Sequence, residues 1–273
     1  VLRGSKSSYA SNRAIVDAIT KALSSHGYES DFIQLVEDLS HESSHELMTA
    51  RGLVDVLIPR GSAKLIQTVV TQSTVPVIET GAGNCHAYIH KSADPEIAKK
   101  IILNGKLRRP SVCNALDRIV VDEAAVNTVL PVVIDALRER GVVIRGCKKT
   151  VKAFPDVEKA TEDDFYAEYL DAIISCKVVK NYSEAIDHIN KYGTHHSDVI
   201  ISDDVEAENA FMKLIDSAAV YHNASTAFTD GFEYGFGAEM GISTQKLHAR
   251  GPMGLRELTS YKYCIFGNGQ TRN

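Results

Sequence analysis

Five cysteines, Cys85, Cys113, Cys147, Cys176 and Cys264, are the residues best able to do covalent chemistry in this sequence. Cys113 stands out by its neighbours. It sits in Lys106-Leu107-Arg108-Arg109-Pro110-Ser111-Val112-Cys113-Asn114-Ala115, with three cations among the seven residues upstream. Nearby cations favour thiolate over thiol, and the thiolate is the nucleophile. The bland alternative is a small buried hydrophobe. Cys85 follows a glycine turn and is the second candidate, whereas Cys147, Cys176 and Cys264 follow or lie inside expected strands and read as packing. No CxxC occurs, so neither zinc nor a disulfide framework is supported, and thiols of this kind suit a reducing cytoplasm.

Other constellations are weaker. Gly81-Ala82-Gly83-Asn84-Cys85-His86 is half a dinucleotide fingerprint but lacks the third glycine and does not lead into a helix, so a tight connection between layers competes with it. Arg60-Gly61-Ser62 is better placed, because a glycine turn that opens a helix presents backbone N–H groups to a phosphate. The ten histidines show no ligand spacing: His41 and His45 share a helical period in a polar, Ser-rich stretch, His195 and His196 are adjacent, and His90, His188, His222 and His248 are isolated. No metal is expected. Glu79 and Glu168 sit in apolar surroundings, where a carboxylate needs a partner or a task. Lys246 and Arg250 add charge to a Gly- and Ser-rich stretch.

The elements that must position these groups alternate. The apolar period predicts a helix over residues 11–25 with Ile15, Ile19, Ala22 and Leu23 inward, then strands at Phe32–Val36, Val54–Ile58 and Val75–Glu79, with a helix from Ala63 to Val70 between the last two. Asp94-Pro95 starts a helix that buries Ile97, Ile101 and Ile102, and Asn104-Gly105 is its stop. Strands follow at residues 118–121, 142–144, 170–179, 199–201 and 218–221. They are separated by helices through Val129 to Leu137 (Pro131 shortening or kinking it), from a Ser183 cap to Gly193, and around Phe211 to Ile215. Residues 224–254 lack any period, and Tyr261–Phe266 reads as a terminal strand. This is the strand–helix alternation of a parallel α/β sheet. The 273 residues allow one large domain or two ordinary ones. A net charge of −5 argues against a nucleic-acid footprint, and no apolar run approaches the ~18 residues of a membrane span.

The string Arg109-Pro110-Ser111-Val112-Cys113-Asn114-Ala115-Leu116 resembles the active-site segment of the γ-glutamyl phosphate reductases, a branch of the aldehyde dehydrogenase superfamily. The similarity continues through Thr74-Val75-Pro76-Val77-Ile78-Glu79, Asn223-Ala224-Ser225-Thr226, Phe236-Gly237-Ala238-Glu239 and the fifteen residues from Gly241 to Leu255. It implies two Rossmann-like parallel-sheet domains and a C-terminal oligomerisation arm, with the family's N-terminal part absent and Val1 inside a strand. Residues 1–85 would be the remainder of an NADPH-binding domain, 86–248 the catalytic domain, and 249–273 a return segment and oligomerisation strand. It further implies reduction of L-glutamate 5-phosphate to the 5-semialdehyde, the second step of proline biosynthesis, through a thioacyl intermediate on Cys113. Arg3, Arg60, Gly61, Ser62 and Glu168 would contact NADPH or NADP. Lys106, Arg108, Arg109, Asn114 and Arg250 would bind substrate. Glu79 aligns with the superfamily's general base, a role an acyl-phosphate reductase does not need. A homo-oligomer, dimeric or higher, and the pathway's glutamate 5-kinase are the implied partners, in the cytoplasm. Leu107 and Ala227 stand where the family carries Thr and Arg. Together with the missing N-terminal part, they keep open a catalytically silent fragment or paralogue acting as an assembly or binding module. A Cys–His hydrolase is the third reading; no His lies within 20 residues of Cys113.

Overall fold

Prolines decide how far the first strands pair. The computed structural model describes residues 1–247 and 249–272; His248 and Asn273 lie outside the described residues. The chain forms two units that divide between Glu79 and Thr80. In the first, the Val54–Ile58 and Val75–Glu79 segments meet in one parallel bridge, Leu57 opposite Val77, through Leu57 N–H to Pro76 O (2.8 Å) and Ile78 N–H to Leu57 O (2.9 Å). Extending that ladder in either direction would require an N–H from Pro59 or from Pro76, and neither has one. The expected strands are therefore cut to a bridge. The Phe32–Val36 segment does no better: a 3₁₀ turn covers Ser30–Phe32, and a single parallel bridge joins Leu35 to Leu2.

Helices carry the rest of this unit. Helix α1 (Tyr9–Ser25) keeps its expected length, but its covered face runs Asn12, Val16, Thr20 and Leu23. That stripe is displaced by one residue from the expected one and leaves Ile15 56% and Ile19 40% exposed. Helix α2 (His41–Thr49), not expected, starts on a Ser40 hydroxyl that accepts from Ser43 N–H, and His41 and His45 lie on its exposed side. Helix α3 (Ala63–Gln72) opens at Ser62, whose side chain accepts from Leu65 N–H.

The second unit is built on a seven-stranded, all-parallel sheet. In chain order it contains β1 (Cys85–Ile89), α4 (Pro95–Leu107), β2 (Leu116–Asp122), α5 (Leu130–Glu139), β3 (Val143–Gly146), α6 (Lys148–Ala153), β4 (Glu158–Lys159), β5 (Ile173–Val179), α7 (Tyr182–Tyr192), β6 (Ser197–Ile201), α8 (Val205–Leu214) and β7 (Ala219–His222). The strand order is β4-β3-β5-β2-β1-β6-β7. Strands buried on both faces read as continuous apolar runs, and β1, β2 and β6 are buried at every position. One face packs Ala87, Ile89, Ile119 and Val121 against Ile102 of α4 and Leu130, Ile134 and Leu137 of α5. The other packs Tyr88, Val120 and Ile200 against Ile186 and Ile189 of α7 and Phe211 of α8. Each large side chain so buried stabilises by about 1.5–3 kcal/mol relative to exposure.

Local chemistry explains several boundaries. Asp94 caps α4 with a 2.8 Å bond from Ile97 N–H, as its Asp-Pro start predicts, although Ile97 itself stays partly exposed. The Gly105 stop is wrong: α4 runs on to Leu107, because a Cβ at Gly105 would come within 2.6 Å of the Leu116 side chain, so the glycine serves helix–strand packing. Pro131 lies in the first turn of α5 and starts that helix instead of kinking it. Strand β5 begins at Ile173 and not Leu170, whose φ of 52° is left-handed. Asn181, not Ser183, caps α7. In the aperiodic stretch, β8 (Gly241–Ser243) and β9 (Gly251–Met253) form a short antiparallel ribbon. Tyr261–Phe266 joins no ladder among the described residues and is exposed, up to 96% at Phe266, because a strand needs a partner to pair with.

Candidate active site

Cys113 lies in the connection between α4 and β2, at the amino-terminal edge of the sheet, and is half-buried. The connection is tightened by Ala115 N–H to Val112 O at 3.0 Å. Its floor is Gly83. A Cβ there would lie 1.5 Å from Cys113 O and 2.8 Å from Cys113 Cα, so only glycine allows the two backbones to touch. Gly81 likewise abuts Thr244, and its N–H donates to Ile242 O of β8. The glycine turn is thus a close-packing device, the tight-connection reading of its sequence.

Asn114 is anchored at both ends. Its Nδ2 donates to Thr229 O at 3.0 Å, and its carbonyl accepts from Thr226 Oγ1 at 2.8 Å. The amide expected to bind substrate is therefore engaged in fixing the backbone next to Cys113. Lys106 is also committed. It is fully buried, with Nζ 2.8 Å from Asp117 Oδ1. Burial works against both charges, pulling the ammonium pKa down and pushing the carboxyl up, and their contact holds the pair. A buried ammonium facing Asp117 is not a solvent-side substrate contact, so that expectation is corrected: Lys106 and Asp117 close the two ends of the Cys113 connection. Arg108 and Arg109 remain exposed on that connection.

Glu168 comes to the same place from the segment before β5. Its Oε1 accepts from Gly83 N–H at 2.9 Å, and burial raises its pKa. Its neighbours are pinned: Tyr169 N–H donates to Asp117 Oδ2 (3.2 Å), Arg118 Nε donates to Phe165 O (3.1 Å), and Arg118 also reaches Ala167 O. Cys113, Gly83, Glu168, Tyr169 and Asp117 thus form a closed ring of backbone contacts and hydrogen bonds. Asp117 and Arg118 were missed at the sequence level, yet two charges opening the strand Leu116-Asp117-Arg118-Ile119 were the available signal, since buried charges require partners.

Beyond Gly83, Cys85 donates its thiol to Cys113 O at 3.3 Å and lies 3.8 Å from His196 Nδ1. Burial holds the Cys85 pKa well above a free thiol's and pushes His196 down to about 4, so His196 is neutral near pH 7. Of the cysteines expected to be packing, Cys176 is buried and Cys147 partly so. Cys264 is exposed, which corrects its packing role; all five are thiols.

The remaining expected residues make contacts of their own. Arg250 donates to Asp216 O and Oδ1 (3.1 and 3.0 Å), and Lys246 pairs with the same carboxylate. In the first unit, Arg3 donates to Gly4 O, Leu39 O and Ser40 O, so its guanidinium ties backbone segments together. Arg60, Gly61 and Ser62 form the turn into α3; a Cβ at Gly61 would meet Leu65 at 2.9 Å. A hydroxyl-capped, glycine-turned helix start fits a phosphate, so these residues suit the diphosphate of a dinucleotide. Among the described residues no group of His, Cys, Asp or Glu has metal-site geometry, and no helix is long and apolar enough to cross a membrane.

No family model matches the chain. Curated relatives do. It is 55% identical over 272 residues to a γ-glutamyl phosphate reductase of Clostridium beijerinckii and 53% identical over 273 residues to one of Lactiplantibacillus plantarum, in each case over 100% of this chain and 66% of the relative. The crystal structure of γ-glutamyl phosphate reductase from Thermotoga maritima superimposes with a TM-score of 0.93 at 48% identity, covering 96% of this chain and 64% of that one. An acetylating aldehyde dehydrogenase from Geobacillus thermoglucosidasius, 20% identical with a TM-score of 0.61 over 78% of this chain and 55% of that one, shares the fold.

Proposed function

Because the chain belongs to the γ-glutamyl phosphate reductase family, we propose that the protein reduces L-glutamate 5-phosphate to L-glutamate 5-semialdehyde with NADPH, in proline biosynthesis, and that Cys113 is the nucleophile. The observation that carries the reading is the Cys113 connection itself. A half-buried thiol is held on a glycine floor between two anchored segments, with two exposed arginines alongside.

The Cys113 thiolate attacks the acyl carbon, the carbon–oxygen bond to phosphate breaks, and a thioester forms on Sγ. Phosphate is a good leaving group, so no general acid is required at this step. Arg108 and Arg109 neutralise the departing phosphate and the substrate carboxylate. A reduced nicotinamide, when bound, supplies the hydride that converts the thioester to the aldehyde level. The backbone N–H of Cys113 meets the oxyanion that develops, and the ring around Gly83 keeps that donor aimed. Collapse of the thiohemiacetal releases the semialdehyde and returns the thiolate.

Arg60, Gly61, Ser62 and Glu168 are the residues proposed to hold the cofactor, with Arg3 shaping the backbone near residues 39 and 40. The preference for NADPH over NADH, a cytoplasmic location, assembly into a homo-oligomer through the Tyr261–Phe266 segment, and association with a glutamate 5-kinase belong to this proposal too. The test is NADP-dependent oxidation of glutamate semialdehyde in phosphate buffer. Activity is expected for the parent and none for Cys113→Ser, and activity that survives Cys113→Ser refutes the thioacyl route.

A further inference from the structure

Cys85 has no part in the thioacyl route, yet three observations converge on it. First, it adjoins the nucleophile: its Sγ lies 3.3 Å from Cys113 O. A carbonyl oxygen is about 2.4 Å from its own Cα, so Cys85 Sγ is within about 6 Å of Cys113 Cα, which makes the two cysteines immediate neighbours in space. Second, it has a base. His196 Nδ1 is 3.8 Å from Sγ, and His196 Nε2 is buried with no hydrogen-bond partner among the described residues. Third, that base connects outward. His196 Nδ1 contacts Ser197 Oγ (2.8 Å), which contacts Thr229 Oγ1 (2.7 Å), then Tyr221 OH (2.7 Å), then Tyr234 OH (2.6 Å) on an exposed side chain. Either hydroxyl can be the donor at the last three contacts, so the chain can carry a proton in either direction. A buried cysteine that served only as filler would need neither a base nor a path to solvent.

We propose that Cys85 is a resolving thiol for Cys113, so that peroxide converts the pair to an intramolecular disulfide that dithiols reverse. The inference rests on the reading of Cys113 as the reactive thiol. In the first step the Cys113 thiolate takes an oxygen from hydrogen peroxide, the O–O bond breaks, and sulfenic acid and hydroxide result. In the second, Cys85 gives its proton to His196 Nδ1 and Sγ attacks the Cys113 sulfur. The S–O bond breaks, the hydroxide leaves as water with a proton from solvent, and the proton on His196 departs along the hydroxyl chain. The sum is two thiols and one peroxide to one disulfide and two waters. Attack by Cys85 outruns a second oxidation, which would be irreversible. Burial keeps His196 neutral near pH 7 and also weakens it as a base, so the proton moves to Nδ1 only in concert with the attack of Sγ.

The experiment treats the folded protein with hydrogen peroxide, alkylates the remaining thiols after unfolding, and maps peptides without reduction. The parent is expected to give a linked Cys85–Cys113 peptide, and dithiothreitol should return nearly all of the Cys113 thiol. In Cys85→Ser and Cys85→Ala, Cys113 should pass to sulfinic acid, with thiol recovery falling several-fold. Tyr221→Phe interrupts the chain and should slow linkage without slowing the first oxidation. Sulfinic Cys113 beside an intact Cys85 thiol in the parent, or Cys113 linked to Cys264, would overturn the proposal. Iodoacetamide labelling separates the two readings: if Cys113 labels no faster than exposed Cys264, the nucleophile assignment fails, whereas fast labelling without linkage removes the resolving role alone.

Discussion

Replacing Gly83 by alanine is the sharpest test of how Cys113, the proposed nucleophile, is held. The added Cβ would stand 1.5 Å from Cys113 O, 2.4 Å from Cys113 C and 2.8 Å from its Cα, all backbone atoms with no rotamer to escape into. Because Cβ atoms essentially never approach closer than 3.0 Å, the two backbones must part by about 1.5 Å, the difference between those distances. The separation also draws Gly83 N–H away from Glu168 Oε1 and loosens the ring at a second point. A displacement of about 1 Å in a catalytic group can lower rates by roughly 100-fold, so kcat/KM should fall by that factor or more. Overpacking of this kind destabilises by about 1–3 kcal/mol. Steady-state kinetics, the rate of Cys113 alkylation and urea denaturation together read all three effects. Gly141→Ala is the control: φ is 72° with nothing within 4 Å, so it should lose about 1 kcal/mol of stability and leave Cys113 reactivity unchanged. If Gly83→Ala alkylates and turns over within a factor of about two of the parent, the close approach does not position the nucleophile and the reasoning fails.

Three further outcomes are expected. Lys106→Met leaves buried Asp117 with Arg118, 3.8 Å from its Oδ2, as its remaining cation and should cost about 3–5 kcal/mol in urea denaturation, while adding Asp117→Leu should recover only part of the loss, because Arg118 and Tyr169 N–H then lose their acceptor. His196, with its folded pKa pushed by burial down to about 4 and an unfolded value near 6.5, binds its proton more readily when unfolded; stability is therefore full above pH 6.5 and falls by roughly 3 kcal/mol as pH drops through that window. His196→Gln should remove that share of the slope, measured by denaturation at pH 7 and pH 4.5. Gly105→Ala, favoured by helix propensity by about 1 kcal/mol, should still destabilise by about 1–3 kcal/mol, because its methyl meets Leu116 at 2.6 Å; a higher melting temperature would contradict the packing.

Much of the second unit was legible in its sequence because its strands are buried on both faces. The apolar runs around Val120, Val178 and Val199 announce themselves without competing patterns. Capping was readable where the side chain reaches back locally, as Asp94 does to Ile97 N–H. Long-range effects were not readable. Gly105 carries the same local signature whether it ends a helix or admits a Leu116 side chain, and only the fold distinguishes them. The prolines at 59 and 76 truncate a ladder only because they fall opposite Leu57 and its neighbours, a register invisible in one segment alone. At the site, Cys113 stands out in the sequence by its flanking cations, but two of its expected helpers are engaged otherwise. Lys106 turned inward to Asp117, and Asn114 turned to Thr229, because an apolar strand that begins with charged residues must neutralise them from nearby chain.

The contact between Gly83 and Cys113 also bears on how the chain matures. It joins the starts of β1 and β2, 30 positions apart and connected through the α4 crossover. The close approach of Gly83 to Cys113 therefore does not exist while either strand is undocked. During synthesis, Cys113 leaves the ribosome open to solvent and becomes half-buried only when the crossover closes. Labelling of that single residue would then time the formation of the central sheet, with the protein's own chemistry serving as the clock.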